Sequence, residues 1–169
     1  MNISIKKIAI SLTLTLFFIL TISSAMAHRN DDLIIVITDT QLESESTQGW
    51  LNFLARLGVT SKLVKPEDFE TVKGSMHIAL MAVPGVPELN GDILPLLLDE
   101  KEIAWLSEPG NRKFYYLDDS FIEGQAILLF AGATQRATEI VRQNNRADWE
   151  LIFCSWFDLA ISSLTLTGY

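Results

Sequence analysis

One cysteine in 169 residues excludes an intramolecular disulfide, so no covalent cross-link within the chain holds the fold. That thiol, Cys154, sits in the apolar run Leu151 to Phe157, where an inert buried group is expected rather than a nucleophile. Histidine is nearly absent as well. His28 and His77 stand far apart with no Cys, Asp or Glu cluster at ligand spacing, which argues against a metal site. No Gly-x-Gly-x-x-Gly or Gly-x-x-x-x-Gly-Lys-Ser/Thr loop occurs, and there is no Gly-x-Ser-x-Gly elbow and no Asp-x-Asp-x-Asp calcium loop. Beyond residue 27 no Asn-x-Ser/Thr sequon occurs either. No cofactor, no metal and no catalytic residue is therefore expected.

Positive charge is also scarce. Past residue 27, removing Lys6 and Lys7 from 13 basic residues leaves 11 against 21 acidic ones, a net charge of about −10 with histidines neutral. Such a balance disfavours nucleic acid and anionic lipid as partners. It suits a well-solvated surface in the envelope or outside the cell, with an envelope or surface protein as the candidate partner.

What the chain does have begins at its N-terminus. Lys6 and Lys7 precede an uncharged run from Ile8, and Ala25-Met26-Ala27 has the small-x-small form of a secretory cleavage site. The expectation is a signal peptide over 1–27 and one extracytoplasmic domain over 28–169, secreted or held at the cell surface. The alternative is an uncleaved anchor, because Ile8 to Ala27 is 20 residues without charge, about what a bilayer-spanning helix needs. Contact with a membrane would then run only through that segment. Oligomeric state leaves no sequence signal.

Downstream, apolar runs alternate with helical periodicity. Asp32 to Asp39 reads as a first strand, and Trp50, Phe53, Leu54 and Leu57 fall on one helical face. Ser46 or Thr47 is available to cap that helix and Gly58 to end it. Val59 to Lys65 and Met76 to Val83 are further strands, separated by a Pro66 turn. Asn90 to Asp99 reads as a short helix with Pro95 near its start. Glu102 to Ser107 and Lys113 to Leu117, alternating around Pro109-Gly110-Asn111, predict a β-hairpin from which Trp105 faces out as a contact for a partner or glycan.

The most informative stretch is Gln125 to Asn145. Ala126 to Ala131 is a strand apolar on both faces, Gly132 makes the turn with a positive φ, and Thr134 caps a helix reaching about Gln143. A second helix over Trp149, Ile152, Phe153 and Trp156 follows, and Leu159 to Tyr169 is a final strand or docked tail. These elements predict an α/β fold: a small three-layer domain with a mixed, largely parallel sheet and a β-hairpin.

If the strands ending at Asp39 and Gly132 are parallel, their turns open on one edge, where α/β folds bind ligands. Asp39, Thr40, Gly132 and Thr134 are thus candidate ligand-binding residues, with the helix after Thr134 offering free N–H groups to an anion. Ordinary helix capping explains the same residues. The pairs Glu43 with Glu45 and Asp118 with Asp119 could be acid–base pairs, but their polar surroundings predict solvated loops.

Ala82-Val83-Pro84-Gly85, the turn Glu108-Pro109-Gly110-Asn111, and the strand-helix run with Ala131, Gly132 and Thr138 resemble the α/β domain of archaeal S-layer and related cell-surface proteins. The likeness covers about 76–141. Ala82-Val83 stands where that family has paired glycines, and Asp118 to Gly124 is an acidic insertion. What the resemblance implies is a cell-envelope or surface domain without a catalytic set. A non-catalytic structural or interaction module is the first functional expectation; a small-ligand or anion binder, or weak hydrolase, at the Asp39–Gly132 edge is the second.

Overall fold

The computed structural model describes residues 32–157 and residue 159. The expected signal segment and the tail beyond Leu159 lie outside them.

Five strands, β1 (Leu33–Val36), β2 (Ser61–Val64), β3 (His77–Ala82), β4 (Arg112–Asp118) and β5 (Ala126–Gly132), form one sheet in the order β2-β1-β3-β5-β4. The first four in that order are parallel, and β4 closes one edge antiparallel to β5, with Arg112 opposite Gly132 and Asp118 opposite Ala126. The α/β class, the mixed and largely parallel sheet and the three layers are as the sequence predicts.

The three inner strands β1, β3 and β5 are apolar on both faces because helices cover both, whereas the edge strand β2 is largely exposed. Leu33, Ile35, Ala79, Met81, Leu128 and Phe130 point to one side. There they meet Trp50, Phe53 and Leu54 of α2 (Glu45–Arg56), Val141 of α6 (Gln135–Asn144), and Trp149 and Phe153 of α7 (Arg146–Phe157). Alternate residues Ile34, Val36, Ile78, Leu80, Ile127 and Leu129 pack on the other side against Phe69 and Val72 of α3 (Phe69–Val72), Leu94 of α4 (Leu94–Leu97) and Leu106 of α5 (Glu100–Ser107). One further turn of helix, α1 (Asp39–Leu42), follows β1 directly.

Three sequence expectations are corrected. The hairpin is not built from Glu102 to Ser107, which is helical. Asp99 accepts the Glu102 N–H at 2.8 Å as an N-cap, Glu100 and Glu102 place negative charge in the first turn, and Ile103 and Leu106, one turn apart, face the core. Ile103 and Trp105 alternate as in a strand, Ile103 and Leu106 repeat as in a helix, and the cap decides between the two. The hairpin instead joins β4 to β5 through residues 119–125, where Asp119 (φ 51°) and Gly124 (φ 79°) supply the left-handed positions. Trp105 therefore sits on α5, 40% exposed.

Gly132 does not turn the chain with a positive φ; it is the last residue of β5. Its missing Cβ matters for space, since one built there would lie 2.8 Å from the Ala137 Cβ and 3.1 Å from the Arg112 Cβ. Nor do Ser46 or Thr47 cap α2, whose N-cap is Ser44. Thr134 does cap α6, accepting the Ala137 N–H at 3.1 Å, and Gly58, with φ 80°, follows α2 as expected.

Candidate functional site

Strand order reverses between β1 and β3: the chain passes from β1 to β2 on one side, then crosses back to β3 on the other. Outside the carboxyl ends of β1 and β3 is where such sheets hold ligands. Here the chain fills that position itself. Asn90, fully buried and left-handed (φ 59°, ψ 20°), donates its side-chain amide to the Val36 carbonyl at 3.1 Å, the Met81 carbonyl at 3.0 Å and Gln41 Oε1 at 2.9 Å.

Gln41 completes the plug. It donates Nε2 to the Met81 carbonyl at 2.8 Å, while its Oε1 accepts the Thr38 N–H and its own N–H is received by Thr38 Oγ1. The Thr38–Gln41 pair is a capping box for α1, so one buried amide both starts that helix and spans the sheet edge. Asn90 tolerates the left-handed region because its short polar side chain bonds locally. Gly91 follows because a Cβ there would meet the Val83 carbonyl oxygen and lie 2.6 Å from the Val86 N. Within the plug, Asn90 Oδ1 is buried without a hydrogen-bond partner.

Beside the plug an open cleft of about 570 Å³ lies between the ends of β1 and β2 and the segment 87–96. Asp39 and Thr40 line it, as do Glu67, Glu70, Glu88 and Asp92, so five carboxylates face one cation, Lys65. Lys65 Nζ reaches Asp39 Oδ2 at 2.9 Å, and this hydrogen bond, followed by the charge of Asp39, holds the exposed ammonium above its ordinary range.

Of the four candidates, Asp39 and Thr40 share this cleft, whereas Gly132 and Thr134 do not line it. β3 lies between β1 and β5, which sets the two turns about 10 Å apart. Gly132 is buried in strand packing and Thr134 is occupied by its cap. Among the other sequence candidates, Glu43, Glu45, Asp118 and Asp119 are exposed. Cys154 is buried, and burial pushes its thiol up from the ordinary range, the character of an unreactive group. His77 opens β3 and stacks on Trp156 at 4.6 Å. Among the described residues no group of three or more His, Cys, Asp and Glu is placed to hold a metal ion. Asn90 and Gln41 went unnoticed in the sequence; the Asn90-Gly91 dipeptide, a strong turn signal, marked the place.

Compared with family models, curated proteins and solved structures, the chain matches none.

Proposed function

We propose that this chain is a non-catalytic extracytoplasmic domain of the cell envelope or surface, acting as a structural or interaction module. The observation that carries the reading is the Asn90–Gln41 plug: the crevice where an α/β sheet would orient a substrate is occupied by the protein's own hydrogen-bonded amides. Export rests on Lys6-Lys7, the apolar run and Ala25-Met26-Ala27. The likeness to S-layer-type domains points the same way.

A tagged full-length chain, fractionated from its native host and photo-crosslinked in place, tests this. Recovery outside the cytoplasm with a discrete protein crosslink supports the module. Cytoplasmic recovery, or turnover of a small substrate that Asp39→Ala abolishes, overturns it.

A second reading, a small-ligand binder or weak hydrolase at the edge carrying Asp39, has the 570 Å³ cleft in its favour. Five carboxylates around that space favour a cationic ligand over the anion first considered for the edge. Saturable protection of the full chain by a polyamine, lost in Asp39→Ala, would raise it above the first.

A further inference from the structure

The groove between α2, α6 and the start of α7, on the helical face away from the cleft's lining, inverts the protein's charge. Arg56, Arg142 and Arg146 all line its space of about 530 Å³, in a chain whose net charge is −8. Arg142 is the unusual member, being only 6% exposed. Its Nη2 donates to Ser46 Oγ at 2.6 Å and to the Ser46 carbonyl at 3.2 Å, and its Cζ stands 5.4 Å from the Trp50 ring centre.

Those contacts hold the guanidinium in place without neutralising it. Among the described residues Arg142 takes part in none of the ion pairs. Burial pulls its pKa below the ordinary range; the charge of Glu139 opposes this and the smaller effect of Arg146 adds to it. Glu139, which also accepts the Ser44 hydroxyl at 3.0 Å, offsets only part of the cost of burial, and Arg146 is paired with Glu150. A buried cation short of a counter-charge is costly, and its protein gains when an anion supplies one.

Hydrogen bonding makes the same point independently. Arg142 Nε and Trp50 Nε1 are both buried with no acceptor, and both residues line the groove. Neither group can accept a bond, so the walls of the groove carry two buried donors without acceptors beside three arginines. Trp149 Nε1, beside them, shows the satisfied case: it donates to the Arg142 carbonyl at 2.7 Å.

We infer that this groove is an oxyanion site, taking a compact carboxylate or phosphate group against the Arg142 fork with Arg56 and Arg146 at its rim. The planar guanidinium matches either group in a two-pronged contact. The protein's overall negative charge does not forbid this, because at physiological salt the screening length is about 8 Å and only the nearest charges count.

The test titrates the full chain, in mild detergent at constant ionic strength, with inorganic phosphate and separately with malonate, following the ¹⁵N resonance of the Arg142 side chain and tryptophan emission. A saturable shift with one or both anions is expected, and the preferred anion tells phosphate from carboxylate. Arg142→Met should abolish it. Arg56→Gln, at the rim, should fold normally and weaken binding roughly tenfold, the worth of one charge-assisted contact. No saturable response to either anion, or a response unchanged in Arg142→Met, overturns the site. If Arg142→Met does not fold, an unchanged affinity in Arg56→Gln together with an unmoved Arg142 resonance overturns it equally.

Discussion

The side-chain amide of Asn90 lies 3.1 Å from the carbonyl oxygen of Val36, 54 residues earlier, and so ties the segment after β3 to the end of β1. A left-handed asparagine thus serves as both turn and rivet. Because the amide also reaches Met81 and Gln41, the two central parallel strands are joined beyond the point where their own ladder stops.

Asn90→Ala should therefore destabilise the domain twice over. Removing a buried donor leaves acceptors short, at about 1–3 kcal/mol, and alanine in the left-handed region adds about 1 kcal/mol. Asn90→Gly incurs only the first cost, because glycine adopts the left-handed region freely, so urea melts should place it between the parent and the alanine variant. A glycine variant as stable as the parent would show that the plug holds nothing.

Gly132 offers a test of packing against turn geometry. At Gly58, where φ is 80° and no atom lies near an added Cβ, Gly58→Asn should cost little because asparagine tolerates that region. At Gly132 the obstacle is the Ala137 Cβ, 2.8 Å from an added Cβ, so Gly132→Asn and Gly132→Ala should both cost about 1–3 kcal/mol. Equal melting temperatures for the Asn variants at the two positions would contradict the steric account.

The sequence carried the sheet well and the site poorly, for a physical reason. Strands buried on both faces announce themselves as unbroken apolar runs, and Thr134 advertises its cap, because both signals are local. Thr134→Ala should accordingly cost about 0.5–2 kcal/mol in a denaturant melt. Glu102 to Ser107 failed as a strand because helical and alternating patterns coincide over so few residues, while the deciding cap, Asp99, lay outside the window. The plug and the arginine groove depend on pairs such as Asn90 with Val36 and Arg142 with Ser46, 54 and 96 residues apart, which no local pattern records.

Tyr115 gives a prediction in pH. Its hydroxyl donates to Glu102 Oε1 at 2.6 Å, and Lys113 Nζ donates to the same oxygen at 2.6 Å. The bond from Lys113, then that from Tyr115, holds Glu102 below the usual carboxylate range; burial, then the bond to Glu102, pushes Tyr115 well above the usual phenol range. For Glu102, with a depressed folded pKa, the stabilisation is present above the unfolded value of about 4.3 and lost as pH falls through the folded one. For Tyr115, with a raised folded pKa, it is present below the unfolded value of about 10 and lost as pH rises beyond it, because the unfolded chain then releases a proton that the folded one keeps. Tyr115→Phe should lower stability at neutral pH by about 1–2 kcal/mol, a modest figure because Glu102 stays partly exposed. It should also flatten the fall in stability above about pH 10, without abolishing it, since Tyr116 is raised too, chiefly by burial. Urea midpoints measured from pH 3 to pH 11 decide the matter: a Tyr115→Phe profile running parallel to the parent at both ends would show that the Tyr115–Glu102 bond does not couple the two groups.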